Sequence, residues 1–253
     1  MKPAVLFTLT IILLTGTRLQ SQMTPDTIID ECLTYHMIYK GLHVADSQLL
    51  FSQQNPDTFL ISWYANTRSI FYLLFPLENL YRVYWSPSLE LYKMEKRIRQ
   101  KNIDQDWIIH YNRQQHYAVT NNGKRWEIDP ACRSLLGMVY YVRLYDPDLG
   151  DSFSFVADIE SECWQVSGTT TAAVQEYDSI IKPERDILLT FKPLNDTKNR
   201  SWNSDLFTNN VSRENACLHI KLGPSPQSVP TMIAFENTDK PVRMQLVKVE
   251  DNL

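Results

Sequence analysis

Apolar residues recur at every second position along much of this chain, and this is the feature that most limits its fold. Successive side chains of a β-strand point to opposite faces, so a period of two indicates strands with one buried face. The clearest example is Phe59 to Ala65, where every second residue is apolar. Alternation also occurs in four other stretches, which are Leu33 to Tyr39, Tyr81 to Trp85, Trp107 to Tyr111 and Tyr117 to Val119. The chain is therefore predicted to be mostly β.

The second half of the chain continues the strand pattern. Asn122-Gly123, between two alternating stretches, predicts a tight hairpin because this turn needs positive φ at its central residues. Six further strands are predicted at Ser152–Ile159, Cys163–Ala173, Ile187–Lys192, Ala216–Leu222, Val229–Glu236 and Val242–Val249. We expect an antiparallel curved sheet or (half-)barrel of about ten or more strands, with a two-layer sandwich as the alternative.

One main α-helix interrupts the strands. Asp129 followed by Pro130 is typical of a helix start, with an N-cap and a proline at the first helical position. Apolar residues then recur at helical spacing up to Arg143, namely Leu135, Leu136, Val139, Tyr140 and Val142. A domain sub-boundary is most plausible near 129–150, where the first set of strands gives way to the helix. The polar segment 195–213 is predicted to be an exposed loop.

The first 21 residues have the features of a secretory signal peptide. Lys2 supplies a positive start, and Ala4–Leu14 is an apolar stretch too short for a bilayer core, which needs roughly 20 residues. Small Ser21 makes cleavage before Gln22 plausible. We expect residues 1–21 to be removed and 22–253 to form a single exported β-rich domain, periplasmic or secreted. No later apolar run approaches membrane-spanning length, so the mature chain is not predicted to be an integral membrane protein.

Four cysteines follow the signal region, at Cys32, Cys132, Cys163 and Cys217. Their spacing excludes a CxxC redox or zinc motif. Export permits disulfides, but four cysteines allow three pairings that the sequence does not rank. The alternative is that they are buried thiols that behave as small hydrophobic side chains.

Charge and motifs exclude several classes of function. The net charge is −4 at pH 7, which gives no electrostatic footprint for nucleic acid. The chain contains no GxSxG, HExxH, GxxxxGKS/T or GxGxxG motif. We therefore predict a protein that is not an enzyme, with an unrecognised hydrolase as the less favoured alternative.

The histidines are candidate metal ligands. His36 and His43 flank the turn at Gly41, and His110 and His116 lie on neighbouring predicted strands. Either pair is a conceivable two-histidine site, but zinc needs three or four converging ligands. The sequence does not assemble such a set, so neither a metal nor another cofactor is predicted.

Short motifs occur in a defined order along the chain: Tyr35-x-x-x-Tyr39-x-Gly41, Phe75-Pro76-x-x-Asn79, and Tyr140-x-x-Arg143 followed by Gly150. In this order they resemble an exported bacterial family of unknown function, the domain of unknown function 3108 family. The resemblance implies an exported, mostly antiparallel β-protein, and it supplies no active site to carry over. The motif residues have structural explanations: Gly41 permits positive φ in a turn, Pro76 stiffens a step, and Arg143 forms an ion pair at a helix end. The chain departs from the family pattern at 195–213 and in its cysteines.

Aromatic residues make up 11% of the chain, and most are expected to pack in the core. Curved sheets also hold apolar ligands in their concave faces. We predict a binding or carrier protein for a lipid or other apolar or amphipathic molecule, with ligand contacts at Trp63, Leu136, Val139 and Tyr140. For the helix, the simpler alternative is that it plugs the sheet as core. The competing function is a structural or assembly factor that binds another envelope protein through an edge strand.

Overall fold

The computed structural model describes residues 30–73, 75–159, 161–172, 184–194, 205–211, 215–224, 227–237 and 241–251. The first eight strands are β1 Glu31–Tyr39, β2 Leu42–Asn55, β3 Thr58–Thr67, β4 Leu77–Trp85, β5 Leu91–Gln100, β6 Ile103–Asn112, β7 Tyr117–Thr120 and β8 Arg125–Glu127. The others are β9 Arg133–Ser134, β10 Ser152–Ile159, β11 Glu162–Ala172, β12 Arg185–Pro193, β13 Cys217–Leu222, β14 Pro230–Glu236 and β15 Val242–Asp251. The predicted signal peptide, residues 1–21, lies outside the described residues and stays a prediction.

These strands form a single 15-stranded sheet in the order β8-β7-β6-β5-β4-β3-β2-β1-β15-β14-β13-β12-β11-β10-β9. Neighbouring strands are antiparallel, except that β9 and β10 are parallel. The predicted mostly β, antiparallel sheet is confirmed, and one continuous sheet excludes the two-sheet sandwich for the described strands.

The sheet curves until its two ends meet through side chains. The Tyr111 hydroxyl on β6 donates to Asp158 Oδ2 on β10 at 2.8 Å. Lys124, just before β8, donates from Nζ to Ser161 Oγ at 3.1 Å. These contacts bring the β6–β8 end against the β10–β11 end, so the concave face encloses the core.

The alternation seen in the sequence corresponds to the buried face of the strands. On β3, Phe59, Ile61, Trp63 and Ala65 are all buried. The same holds for Leu33, Tyr35 and Met37 on β1 and for Tyr81, Val83 and Trp85 on β4. Alternation therefore predicted which side chains of these strands point into the concave face.

The hairpin of β7 and β8 is confirmed, with one correction. Gly123 adopts φ +87° in the connecting turn, as the Asn122-Gly123 pair predicts. The buried residues of β7 are Ala118 and Thr120, however, and not Tyr117 and Val119. Tyr117 and Val119 are only partly buried, so the alternation of these two apolar residues predicted the wrong inward face for β7.

The main helix, α1, begins later than predicted, at Met138, and ends at Tyr145. Asp129 and Pro130 form a single turn, in which Asp129 Oδ1 accepts from the Ala131 amide at 2.6 Å. Strand β9 then follows, because the chain must first pair with β10. The helix is enclosed by the sheet, and its buried residues are Met138, Val139, Tyr140, Val142, Arg143 and Leu144.

The predicted exposed loop at 195–213 is wrong in its second part. Residues 206–211 form a short helix, α2 (Leu206–Val211), within the concave face. Phe207 and Val211 are fully buried there. Residues 195–204, 212 and 213 lie outside the described residues. In the described part of the chain, no helix is long and apolar enough to cross a membrane.

Candidate functional site

The short helix α2 places one aromatic side chain in a ring of others. The Phe207 ring lies 4.8 Å from the Trp63 ring on β3, 5.9 Å from Tyr81 on β4 and 5.7 Å from Phe235 on β14, measured between centroids. Tilted and edge-on ring pairs of this kind are favourable beyond the area that they bury. We call Trp63, Tyr81 and Phe235 the aromatic box.

A buried ion pair fixes the start of α2. Asp205 Oδ1 accepts from the amides of Phe207 and Thr208 at 2.9 and 3.2 Å, which is helix capping. Its other oxygen, Oδ2, lies 3.4 Å from Lys96 Nζ on β5. Asp205 is 1% exposed and Lys96 is 6% exposed. Breaking a buried ion pair is strongly unfavourable, so this pair holds the start of α2 on β5.

Lys96 also borders a cavity that opens to solvent. Its ammonium lies 6.0 Å from the Tyr81 ring centroid and 5.9 Å from that of Trp107. The cavity has a volume of about 360 Å³, and its lining residues include Lys96, Arg82, Arg97 and Trp107. Three basic and two acidic side chains line it. Because successive side chains of a strand point to opposite faces, exposed Arg82 and Arg97 lie on the outer face, whereas buried Lys96 lies on the inner face beside the aromatic box.

The longer helix α1 is held by a second polar cluster. Both terminal guanidinium nitrogens of Arg143, Nη1 and Nη2, donate to the Glu31 carboxylate on β1, and the Tyr140 hydroxyl donates to Glu31 Oε2 at 3.3 Å. Arg143 Nη2 also donates to the Gln227 carbonyl at 2.8 Å. Burial raises the pKa of the Tyr140 and Tyr35 hydroxyls well above the ordinary tyrosine value. These tyrosines remain neutral donors, which suits a structural network.

A third buried ion pair lies at the end of α1. Asp146 ends the helix in the left-handed region, with φ 47°, and its Oδ1 lies 2.6 Å from Arg185 Nη1 on β12. Ser228 Oγ bridges the two, since it donates to Asp146 at 2.9 Å and accepts from Arg185 Nη2 at 2.6 Å. Helix α1 is thus tied to the sheet by ion pairs at Arg143 and Asp146, and α2 by the pair of Asp205 with Lys96.

The predicted ligand contacts are all buried by protein atoms. Trp63 belongs to the aromatic box, and its indole Nε1 donates to Ser47 Oγ. Tyr140 stacks on Phe51 of β2 with centroids 4.8 Å apart. Leu136 and Val139 are 3% and 1% exposed in the same core cluster. Leu49 lies opposite Trp63 in the β2–β3 ladder, and Phe51 lies opposite Ile61. Tyr140, which stacks on Phe51, therefore packs against the inward-facing pair next to the one that contains Trp63.

Several motif residues have the structural roles expected of them. Gly41 adopts φ +80° in the β1–β2 turn, and Gly150 has φ +81°. The predicted ion pair of Arg143 near a helix end is confirmed. The remaining motif residues are buried or partly buried. The Tyr35 hydroxyl donates to the Pro230 carbonyl at 2.9 Å, and the Asn79 side-chain amide donates to the Tyr81 hydroxyl at 3.0 Å. The Phe75 carbonyl accepts from the Thr67 hydroxyl, and Pro76 directly precedes β4. Tyr39 is partly buried and packs against the core.

Sequence reasoning missed Lys96, Asp205 and Phe207. Strand β5 reads LYKMEKRIRQ, in which a register shift after Leu91 breaks the period of two and one inward position, between Met94 and Ile98, is occupied by the charged Lys96. The signal for α2 was present in the sequence, as Asp205 followed by Leu-Phe within a polar segment. An Asp before an apolar pair is an ordinary N-cap pattern, but a six-residue helix is too short to show a period.

All four cysteines lie in the described part of the chain and are free thiols. Burial raises the pKa of each of them. Low reactivity is the consequence, because the thiolate is the nucleophilic form. This state corresponds to the alternative in which the cysteines act as small hydrophobic side chains.

No family model matches the sequence, and no curated protein matches it. The chain is similar to a solved structure, a β-barrel-like protein of domain of unknown function DUF1849 from Brucella abortus. That match has 6% sequence identity and a TM-score of 0.57, over 89% of this chain and 98% of that chain. The chain has a β-barrel-like fold.

A second solved structure, the hypothetical protein CT021 from Chlamydia trachomatis, matches with 7% identity and a TM-score of 0.35, over 91% of this chain and 94% of that one. The DUF1849 protein is named only as a domain of unknown function, so the likeness assigns the fold and no activity. It is also a different domain of unknown function from the 3108 family, and that resemblance stays a prediction.

Proposed function

We propose that this β-barrel-like protein is an exported, non-catalytic carrier that binds an anionic amphipathic molecule in its concave face, in the place held by Asp205 and Phe207. The observation that carries the proposal is the placement of two side chains at the start of α2. The Asp205 carboxylate pairs with the Lys96 ammonium, and the phenyl ring of Phe207, two residues after Asp205, lies in the aromatic box. Together they present the chemistry of a fatty acid, an anionic head followed by an apolar tail. The chain supplies its own occupant for the site.

Exchange of α2 for a ligand is energetically balanced. Burial of Phe207 and Val211 contributes roughly 1.5–3 kcal/mol each, which about four to eight methylene groups of an alkyl chain match at about 0.8 kcal/mol each. A carboxylate head replaces the Asp205 carboxylate at Lys96, so the buried ammonium keeps a counter-ion. Isolated helices shorter than about 12 residues are marginal in water, so α2 depends on the contacts that the ligand takes over.

The basic cavity beside Lys96 supports the same ligand class. An anionic head at Lys96 has further basic side chains nearby, Arg82 and Arg97 on the outer face of the same strands. On the inner face the tail enters the aromatic box at Trp63. An alkyl chain that continues along the inner face of β2 and β3 reaches Tyr140, with Leu136 and Val139 at the far end of the site.

Localisation in the envelope rests on the signal-like residues 1–21 and on the resemblance to the exported 3108 family. N-terminal sequencing of the protein from its native host is expected to begin near Gln22. An intact Met1 in a cytoplasmic fraction would contradict export, while leaving the ligand site open to its own test.

The ligand test uses oleate as the probe and tryptophan fluorescence as the readout. We expect saturable binding by the mature protein, with Lys96→Met reducing the preference for oleate over uncharged oleyl alcohol at least about tenfold, because only the oleate head uses the ammonium. Lys93→Met is the matched control, because Lys93 lies on the same strand and pairs with Glu95, and both side chains are partly exposed. Mass spectrometry of an organic extract should also detect a bound anionic lipid. No oleate binding and no co-purifying lipid would overturn the proposal.

The alternative, an envelope assembly factor, has support from another surface. The edge strands β8 and β9 have only three and two residues, which makes pairing through an edge strand unfavourable. The loop between β3 and β4 instead exposes Ile70 by 76% and Leu73 by 91%. If this function is correct, Ile70→Asp with Leu73→Asp abolishes cross-linking to an envelope protein in host cells and leaves oleate binding intact.

A further inference from the structure

The outer face of the β1–β2 hairpin brings together two histidines and an aspartate. His36 on β1 lies directly opposite Asp46 on β2 in the antiparallel register. Their side chains therefore share the solvent face of the sheet, away from the buried Met37 and Ala45 that form the next pair.

A β-bulge adds the third residue. The register shifts after the Met37–Ala45 pair, so that Ile38 lies opposite His43 and Val44 is passed over. In a regular ladder Val44 would lie opposite Ile38, and His43 would point to the inner face. The extra residue instead turns His43 to the outer face beside His36, and the Val44 carbonyl accepts from the Arg68 amide at 3.1 Å. Bulges commonly re-aim side chains in this way at functional sites.

The three side chains converge to within ligand distance of one another. His43 Nε2 lies 2.7 Å from Asp46 Oδ1, and His36 Nε2 lies 3.9 Å from the same oxygen. One ligand atom from each residue falls within 4.8 Å of the others. The side chains of His36, His43 and Asp46 are 44%, 24% and 52% exposed, so an ion reaches them from solvent.

We propose that His36, His43 and Asp46 bind a divalent transition-metal ion, of the class that two imidazoles and one carboxylate select. Metal–ligand bonds of about 2.0–2.2 Å place adjacent ligand atoms roughly 3–3.5 Å apart, close to the present separations. The two rings now stack, with centroids 3.8 Å apart and planes 24° apart. They must splay to direct both nitrogen lone pairs at one ion, which their exposure permits. The remaining coordination positions are open to water or an anion.

Arg68 determines which ring nitrogen of His43 carries the proton when no metal is bound. Its Nη1 lies 3.1 Å from His43 Nδ1, and an arginine only donates, so Nδ1 accepts and the proton of neutral His43 sits on Nε2. That proton points to Asp46 at the place the ion would take. Metal binding moves the proton from Nε2 to Nδ1 by exchange with water, and Arg68 must then withdraw. Arg68 therefore opposes binding through both this hydrogen bond and its charge.

Calorimetric titration of the full mature chain with zinc chloride tests the site. We expect one Zn²⁺ per chain and no response to Mg²⁺, which prefers an all-oxygen shell. His36→Asn, His43→Asn and Asp46→Asn should each weaken Zn²⁺ binding at least about tenfold. His110→Asn is the matched control, an exposed histidine on β6 outside the cluster, and it should bind as the unaltered protein does. Circular dichroism verifies that each variant is folded.

Arg68→Gln supplies a result of opposite sign. A glutamine oxygen accepts from the Nδ1–H of metal-bound His43, and the repelling charge is removed, so Zn²⁺ binding should tighten. Failure of the unaltered protein to bind Zn²⁺, or equal binding by the His36→Asn and His110→Asn variants, would overturn the proposal. Neither result bears on oleate binding, which uses the opposite face of the sheet.

Discussion

Arg143 Nη2, near the end of α1, lies 2.9 Å from Glu31 Oε1 at the start of β1, and both side chains are almost fully shielded from solvent. These residues are far apart in the chain, and their pairing ties the enclosed helix to the middle of the sheet. Desolvation of two charges offsets much of their attraction. The pair therefore specifies where α1 sits more than it adds to stability.

A double-mutant cycle tests this interpretation. Glu31→Leu should lower the free energy of unfolding by about 3 kcal/mol, because it leaves Arg143 buried without its counter-ion, and Arg143→Met should cost a similar amount for the converse reason. The double variant Glu31→Leu/Arg143→Met should recover part of that loss, since no buried charge remains. Urea denaturation measures both, and a double variant less stable than the sum of the two single losses would contradict the argument.

Gly137 permits the close approach of Trp85 to the start of α1. A Cβ at this position would lie 2.1 Å from Trp85 Cζ2, and Trp85 is fully buried. Gly137→Ala should therefore destabilise the protein by about 1–3 kcal/mol or more through overpacking. Gly223→Ala is the control, because its Cβ would meet its nearest neighbour at 3.4 Å. Thermal unfolding should show a clear loss for the first variant and little change for the second.

The two helices should differ in local stability. Helix α1 has buried ion pairs at Arg143 and Asp146, whereas α2 has six residues and the Lys96–Asp205 pair. We expect the amide hydrogens of α2 to exchange at least about tenfold faster than those of α1, because local opening requires fewer buried contacts to break. Hydrogen exchange with mass spectrometry measures this. Oleate should accelerate exchange in α2 further, and equal protection of both helices would argue against displacement of α2.

The thiol of Cys132 should be unreactive at neutral pH. Burial, together with the nearby Asp158 carboxylate, raises its pKa above the ordinary value. Because only the thiolate reacts, alkylation by iodoacetamide should be slow at pH 8 and accelerate well above about pH 8.5, the ordinary thiol pKa. Partly exposed Cys163 is the internal comparison and should react faster. After denaturation all four thiols should be alkylated, and fewer than four would reveal a disulfide.

The same shift has a consequence for stability. A raised pKa means that the folded state binds the thiol proton more tightly than the unfolded state does. The stabilisation is therefore complete below about pH 8.5 and is lost as the pH rises from there through the folded-state pKa. Cys132→Ala should fall less in stability between pH 8 and pH 10 than the unaltered protein.

Local pattern was sufficient to predict most strands. Alternation placed Ser152–Ile159 with the bounds that β10 has, and it identified the inward face of β3. This works because each strand buries one face against a shared core, so the period of two is imprinted on the residues of that strand alone. Gly41 and Gly123 were likewise readable, since a turn with positive φ restricts its own residues.

Tertiary contacts decided the rest. Strand β5 buries Lys96 because Asp205 meets it from a distant segment, and no local pattern shows such a partner. Helix α1 begins at Met138 and not at Pro130 because the intervening residues pair with β10. The outward turn of His43 depends on the register between two strands. The sequence by itself determined which residues are apolar and at what spacing, and hence the mostly β class. Only the tertiary structure decided which charges meet, because an ion pair or a ligand cluster is a relation between segments that local spacing does not encode.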